Sequence, residues 1–164
     1  MWRALLLVLG LALASCPLPG HAQGQAPVQI LNLAQVAQGL VPGFPGAGGS
    51  PVTLPDEWAR TRPDFAGTLW YRVPFATPAL PPGELLAVRV PQVCSTLAVH
   101  LNGQLVYTAS RPGQPVTDNC NHPQLVSLPT GLLKATGNTL DLQVTGFPLS
   151  HSASRQRAGR LSEL

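Results

Sequence analysis

Apolar residues recur at every second position in a series of short runs, and this period most constrains the fold. In "LWYRVPF" Leu69, Tyr71, Val73 and Phe75 point one way, while Trp70 and Arg72 point the other. The same alternation puts Leu86, Val88 and Val90 opposite Arg89. It sets Leu97, Val99 and Leu101 inward with His100 outward, and places Leu140, Leu142 and Val144 inward. "PVTLPDEW" reads as a short strand and then a turn, and "QLVSLP" as another short strand. Between "TLAVHL" and "QLVY" stands Asn102-Gly103, the pair that a type I′ hairpin favours because both positions need positive φ. Gly131 to Ala135 reads as a single helical turn, and Gly137-Asn138 as a turn into the last strand. No long helix separates the strands, so the expected fold class is all-β, an antiparallel β-sandwich. With 18 Pro, 16 Gly and only 10% charged residues, the composition suits short strands and turns. A length of 164 residues fits one domain with a modest core.

The chain opens as an export signal, residues 1–22. Arg3 is followed by the apolar run Ala4 to Ala14, which is short for a membrane span. Two processing readings compete. "GHA" before Gln23 is a small-x-small cleavage site, whereas "LASC" resembles a lipobox that would lipidate Cys16. Pro17, directly after that cysteine, favours cleavage after Ala22. Both readings place the mature chain in the periplasm, soluble or lipid-anchored. Cys94 and Cys120 are then an even pair in an oxidising compartment, either joined as a disulfide or buried as separate thiols. Residues 23–50 comprise "VQILNLAQVAQGL", strand or short helix by its pattern, and a Pro/Gly loop expected to be the least ordered part. Residues 51–147 are the expected sandwich and 148–164 a polar tail. The net charge is +3 without a basic cluster, and Arg155, Arg157 and Arg160 sit in the tail, so no nucleic-acid partner is expected.

"G-x-x-W-Y-R-x-x-F" (Gly67, Trp70, Tyr71, Arg72, Phe75), "V-x-L-N-G" (Val99 to Gly103) and "G-N-T-L" (Gly137 to Leu140) follow one another in this order. The combination resembles galactose-binding-like jelly rolls, such as the non-catalytic sugar-binding domain of family 2 glycoside hydrolases. With "VTLPDEW" (Val52 to Trp58) and "N-x-N-x-P" (Asn119, Asn121, Pro123), it is most similar to the periplasmic N-terminal region of proteobacterial sensor histidine kinases. The likeness covers roughly residues 51 to 147. It implies a sensory, ligand-binding jelly roll. Cys120 departs from the bulky residue that such relatives place between the two asparagines. The sequence has no kinase histidine box and no ATP-binding glycine boxes, so it reads as an input domain alone, truncated or freestanding. The alternative is a freestanding or lipid-anchored carbohydrate-binding protein.

No constellation for catalysis stands out. The carboxylates Asp56, Glu57, Asp64, Glu84, Asp118, Asp141 and Glu163 are scattered, and Ser150-His151 adjoin in the tail without triad geometry. The chain is therefore expected not to be an enzyme, and no cofactor or metal is expected. Two groups could bind a small molecule or a sugar. Trp70, Arg72, Arg89 and His100 point away from the inferred core and would combine an aromatic plate with cationic donors. The bland reading, the ordinary polar face of a half-exposed sheet, carries more weight. The loop Thr117 to His122, with Asp118, Asn119, Asn121 and His122, is dense in hydrogen-bonding groups. It serves equally as a binding loop or as an Asx-turn network. Tyr71 is expected in the core and Trp70 only partly buried.

Overall fold

The computed structural model describes residues 28–40, 42–46, 48–80, 83–93, 96–109, 122–146 and 160–161. Its strands are β1 (Leu33–Gln38), β2 (Ser50–Thr53), β3 (Asp56–Glu57), β4 (Gly67–Phe75), β5 (Leu86–Val90), β6 (Thr96–Leu101), β7 (Gln104–Thr108), β8 (Gln124–Leu128), β9 (Asn138–Gly146) and β10 (Arg160–Leu161). One short helix, α1 (Trp58–Thr61), and one 3₁₀ turn (Thr130–Leu132) accompany them. Six strands form an antiparallel sheet in the order β2-β1-β4-β9-β6-β7, and β5 with β8 forms the facing layer. β3 pairs with β10. The segment before residue 50 thus contributes a strand between β2 and β4, and strand pairing reaches back to Leu33.

Both layers turn their apolar positions into one core. Leu69, Tyr71 and Val73 meet Leu97, Val99, Leu101, Leu140, Leu142 and Val144 from the large sheet, and Val88, Val90, Val126 and Leu128 from the small one. The antiparallel sandwich expected from the alternation is what forms, and each inward position named above is buried or partly buried.

The turns and ends of strands account for several motif residues. Asn102 and Gly103 have φ of 51° and 87°, as the I′ hairpin between β6 and β7 requires. The Asn102 side chain donates to Leu132 O (2.7 Å) and to Asn138 Oδ1 (2.9 Å), and accepts from Thr139 N (3.0 Å). Asn138, fully buried, in turn accepts from Lys134 N and donates to Lys134 O and Thr77 Oγ1. The "LNG" and "GNTL" motifs therefore give side-chain partners to part-buried backbone groups of Leu132, Lys134 and Thr139. "LPDEW" does similar work. Leu54 and Trp58 are core residues, and Trp58 packs edge-on against Phe65 with centroids 5.2 Å apart. Buried Asp56 accepts from Tyr71 Oη (2.6 Å), Thr61 Oγ1 (2.8 Å) and Arg62 Nη1 (2.5 Å). Trp58 Nε1 donates to Tyr71 Oη at 2.6 Å. Tyr71 is thus a core residue whose polar tip is fully engaged. Burial, with the Asp56 carboxylate beside it, pushes its phenol far above the ordinary value.

Two expectations need correction. Trp70 faces away from the core, as its position in the strand dictates, yet it is 0% exposed. The Pro/Gly segment after β1 folds back over it, and Trp70 Nε1 donates to Gly39 O at 3.2 Å. The segment also packs tightly on itself: a Cβ on Gly39 would stand 2.8 Å from Pro45 Cγ, and one on Gly49 would stand 2.8 Å from Phe44 Cζ. The second correction concerns Arg89. It sits on β5, in the other layer, so it cannot share a face with Trp70, Arg72 and His100.

Candidate functional site

Register assembles the outer face of the large sheet. Gln35 on β1 lies opposite Arg72 on β4, Arg72 opposite Asp141 on β9, Asp141 opposite His100 on β6, and His100 opposite Leu105 on β7. One row thus crosses five strands. The neighbouring row holds Ala37, Trp70, Gln143 and Ala98.

Arg72 and Asp141 are the electrostatic centre of this face. Arg72 Nε and Nη2 donate to the two Asp141 carboxylate oxygens at 2.7 and 2.8 Å, a bidentate fork. The Asp141 side chain is 2% exposed and that of Arg72 is 35% exposed. Hydrogen bonding to Asp141 raises the Arg72 pKa further above the ordinary guanidinium value. The Phe44 ring from the folded-back segment covers the guanidinium, with Arg72 Cζ 4.3 Å from its centroid. On the other flank the His100 ring leans on Trp70, with centroids 5.2 Å apart and planes at 55°. Burial lowers the His100 pKa, and the nearby Asp141 charge and the Gly103 backbone partly offset that.

Three of the four outward residues from the sequence therefore do converge. Trp70 is the covered floor, Arg72 and His100 reach the surface in part, and Asp141 and Phe44 complete the group. Asp141 was legible as an outward position between Leu140 and Leu142. Its partnership with Arg72 was not, since 69 residues separate them. Arg89 instead lines a cleft of about 440 Å³ at another place in the fold. Of the second candidate group, His122 is exposed and its backbone oxygen accepts from Gln124 Nε2 at 2.8 Å. Asp118, Asn119 and Asn121 lie outside the described residues, as do Cys16, Cys94 and Cys120. Among the described residues no cluster of three or more His, Cys, Asp or Glu could hold a metal ion.

Chemically, the face offers a planar cation with an edge left over. The Arg72 Nη1 group makes no hydrogen bond to a described residue, with an aromatic ring above the guanidinium and an imidazole in the same row. Such a group can hold a hydroxyl or carboxylate of a ligand. It contains no activated nucleophile and no pair of carboxylates placed for acid-base work.

No protein-family model matches the chain, and no curated protein sequence matches it. Solved structures do match in fold. The Faecalibacterium prausnitzii β-glucuronidase aligns with a TM-score of 0.53 at 21% identity over 74% of this chain and 22% of that one. An uncultured Clostridium sp. β-glucuronidase gives 0.54 at 18% identity over 72% and 22%. The Ruminococcus gnavus β-glucuronidase gives 0.56 at 16% identity over 71% and 21%. The chain thus spans about a fifth of the length of these enzymes. At such identities the likeness establishes a shared β-sandwich fold.

Proposed function

We propose that this chain is an exported, periplasmic β-sandwich that binds a carbohydrate without catalysing a reaction of its own. The observation that carries the reading is the Arg72 edge beneath Phe44 and in one row with His100, on a sheet face where Gly39 accepts from the buried Trp70. An aromatic plate next to a directional donor suits the apolar face and the hydroxyls of a sugar ring, and a guanidinium adds preference for an acidic one. The fold neighbours are named as β-glucuronidases, one of them complexed with coumarin-3-O-glucuronide, which makes uronides the first ligands to try. The resemblance of the motifs to sensor input regions supports a role in signalling for ligand occupancy.

The test is a thermal-shift and calorimetric screen of the purified chain with glucuronides, galactosides and neutral oligosaccharides. A ligand present at a hundred times its Kd stabilises the fold by about 2.7 kcal/mol. Phe44→Ala should abolish that gain without unfolding the sandwich. Turnover of a chromogenic glycoside by the pure chain would overturn the non-catalytic reading. A sugar that binds equally well to Phe44→Ala would remove the site from this face.

A further inference from the structure

The cleft that holds Arg89 has a different chemistry from the sheet face. It lies between residues 28–31, the end of β4 with residues 76–78, and β5. Ile30, Phe75, Leu86 and Leu128 are among its walls, and Arg89 is the single charged residue lining it. The Arg89 side chain makes no hydrogen bond or ion pair with a described residue. Of the lining residues Val28 and Ile30 are 88% and 67% exposed, and beyond the cleft Leu125, opposite Arg89 in the β5–β8 register, is 71% exposed. A volume of about 440 Å³ suits a small ligand.

A sugar is poorly matched here. Gln29 and Arg89 are the only side chains with strong hydrogen-bonding groups among the lining residues, so most hydroxyls would be desolvated without partners. An apolar body gains from the same walls. A guanidinium with no ion-pair partner among the described residues, at an apolar lining, sets the remaining requirement, a carboxylate or similar anion. From this charge complementarity we infer that the cleft is a second ligand site, separate from the sheet face, and takes a small amphipathic carboxylate with its aliphatic chain inside and its head on Arg89.

Isothermal titration of the purified chain with butanoate, octanoate and decanoate, and with octan-1-ol, tests this. Octanoate should bind, and octan-1-ol at least about tenfold more weakly, because it lacks the charge-assisted contact. Arg89→Gln should bring octanoate down to the level of the alcohol. Arg89 is exposed and without a described partner, so this variant keeps the fold. Ala76→Trp, filling the cleft, should remove binding of both. Phe44→Ala should leave octanoate affinity unchanged, which separates this site from the proposed carbohydrate face. Equal affinity for acid and alcohol, or octanoate affinity unmoved by Arg89→Gln, would overturn the inference. So would cosedimentation with phosphatidylglycerol vesicles without any response to the free carboxylates, since a membrane surface would then be the partner.

Discussion

Removing the cation from the Arg72–Asp141 pair should be far more damaging than removing both charges. In Arg72→Met two charge-assisted hydrogen bonds of 2.7 and 2.8 Å disappear, while the Asp141 side chain, 2% exposed, stays where it is. Breaking a buried pair by taking one partner costs about 3–5 kcal/mol, most of it from the uncompensated charge. Arg72 is 35% exposed, so water can approach the vacated edge, and the lower end of that range, about 3 kcal/mol, is the expectation. Loss of the Phe44 contact adds about 0.5–1 kcal/mol. In Arg72→Met/Asp141→Leu no charge remains to be desolvated, and the pairing of β4 with β9 is untouched, so the double variant should fall within about 1 kcal/mol of the parent. Urea denaturation of the parent, both single variants and the double variant yields the coupling energy, provided the m values agree. A single-variant cost under about 1 kcal/mol, or strictly additive costs, would refute the view that this pair is the buried electrostatic centre of the face.

Truncating Trp70 to Ala should cost about 3–5 kcal/mol, comparable with Tyr71→Ala, because both rings are fully buried; a Trp70→Ala cost below about 1.5 kcal/mol by chemical denaturation would mean that the covering segment does not seal the face. His100 has a folded pKa below its ordinary 6.5. Its contribution is therefore complete above that value and lost as pH falls through it, where the unfolded imidazole takes up a proton that the folded one resists. Urea midpoints between pH 8 and pH 5 should thus fall more steeply for the parent than for His100→Asn. Tyr71 has a folded pKa above its ordinary 10.0, so its contribution is complete below that pH and lost as pH rises beyond it. Ultraviolet titration should show its phenolate only as the fold is lost, and Tyr71→Phe should remove that step.

The one-dimensional pattern determined which way each strand residue points. Side-chain direction in a strand has a period of two residues, so Leu69, Tyr71 and Val73 could be assigned inward and Trp70, Arg72, His100 and Asp141 outward from the sequence alone. The Asn102-Gly103 turn was equally local, because its positive φ values are a property of the two residues themselves. Tertiary structure decided what stands opposite. Sheet membership and register depend on pairings between distant strands, so the alternation could not show that Arg72 meets Asp141, nor that Arg89 belongs to the other layer. Outward also does not mean exposed. Whether Trp70 meets water depended on a Pro/Gly segment with no period of its own, whose Gly39 accepts from the ring and, lacking a Cβ, leaves room for Pro45.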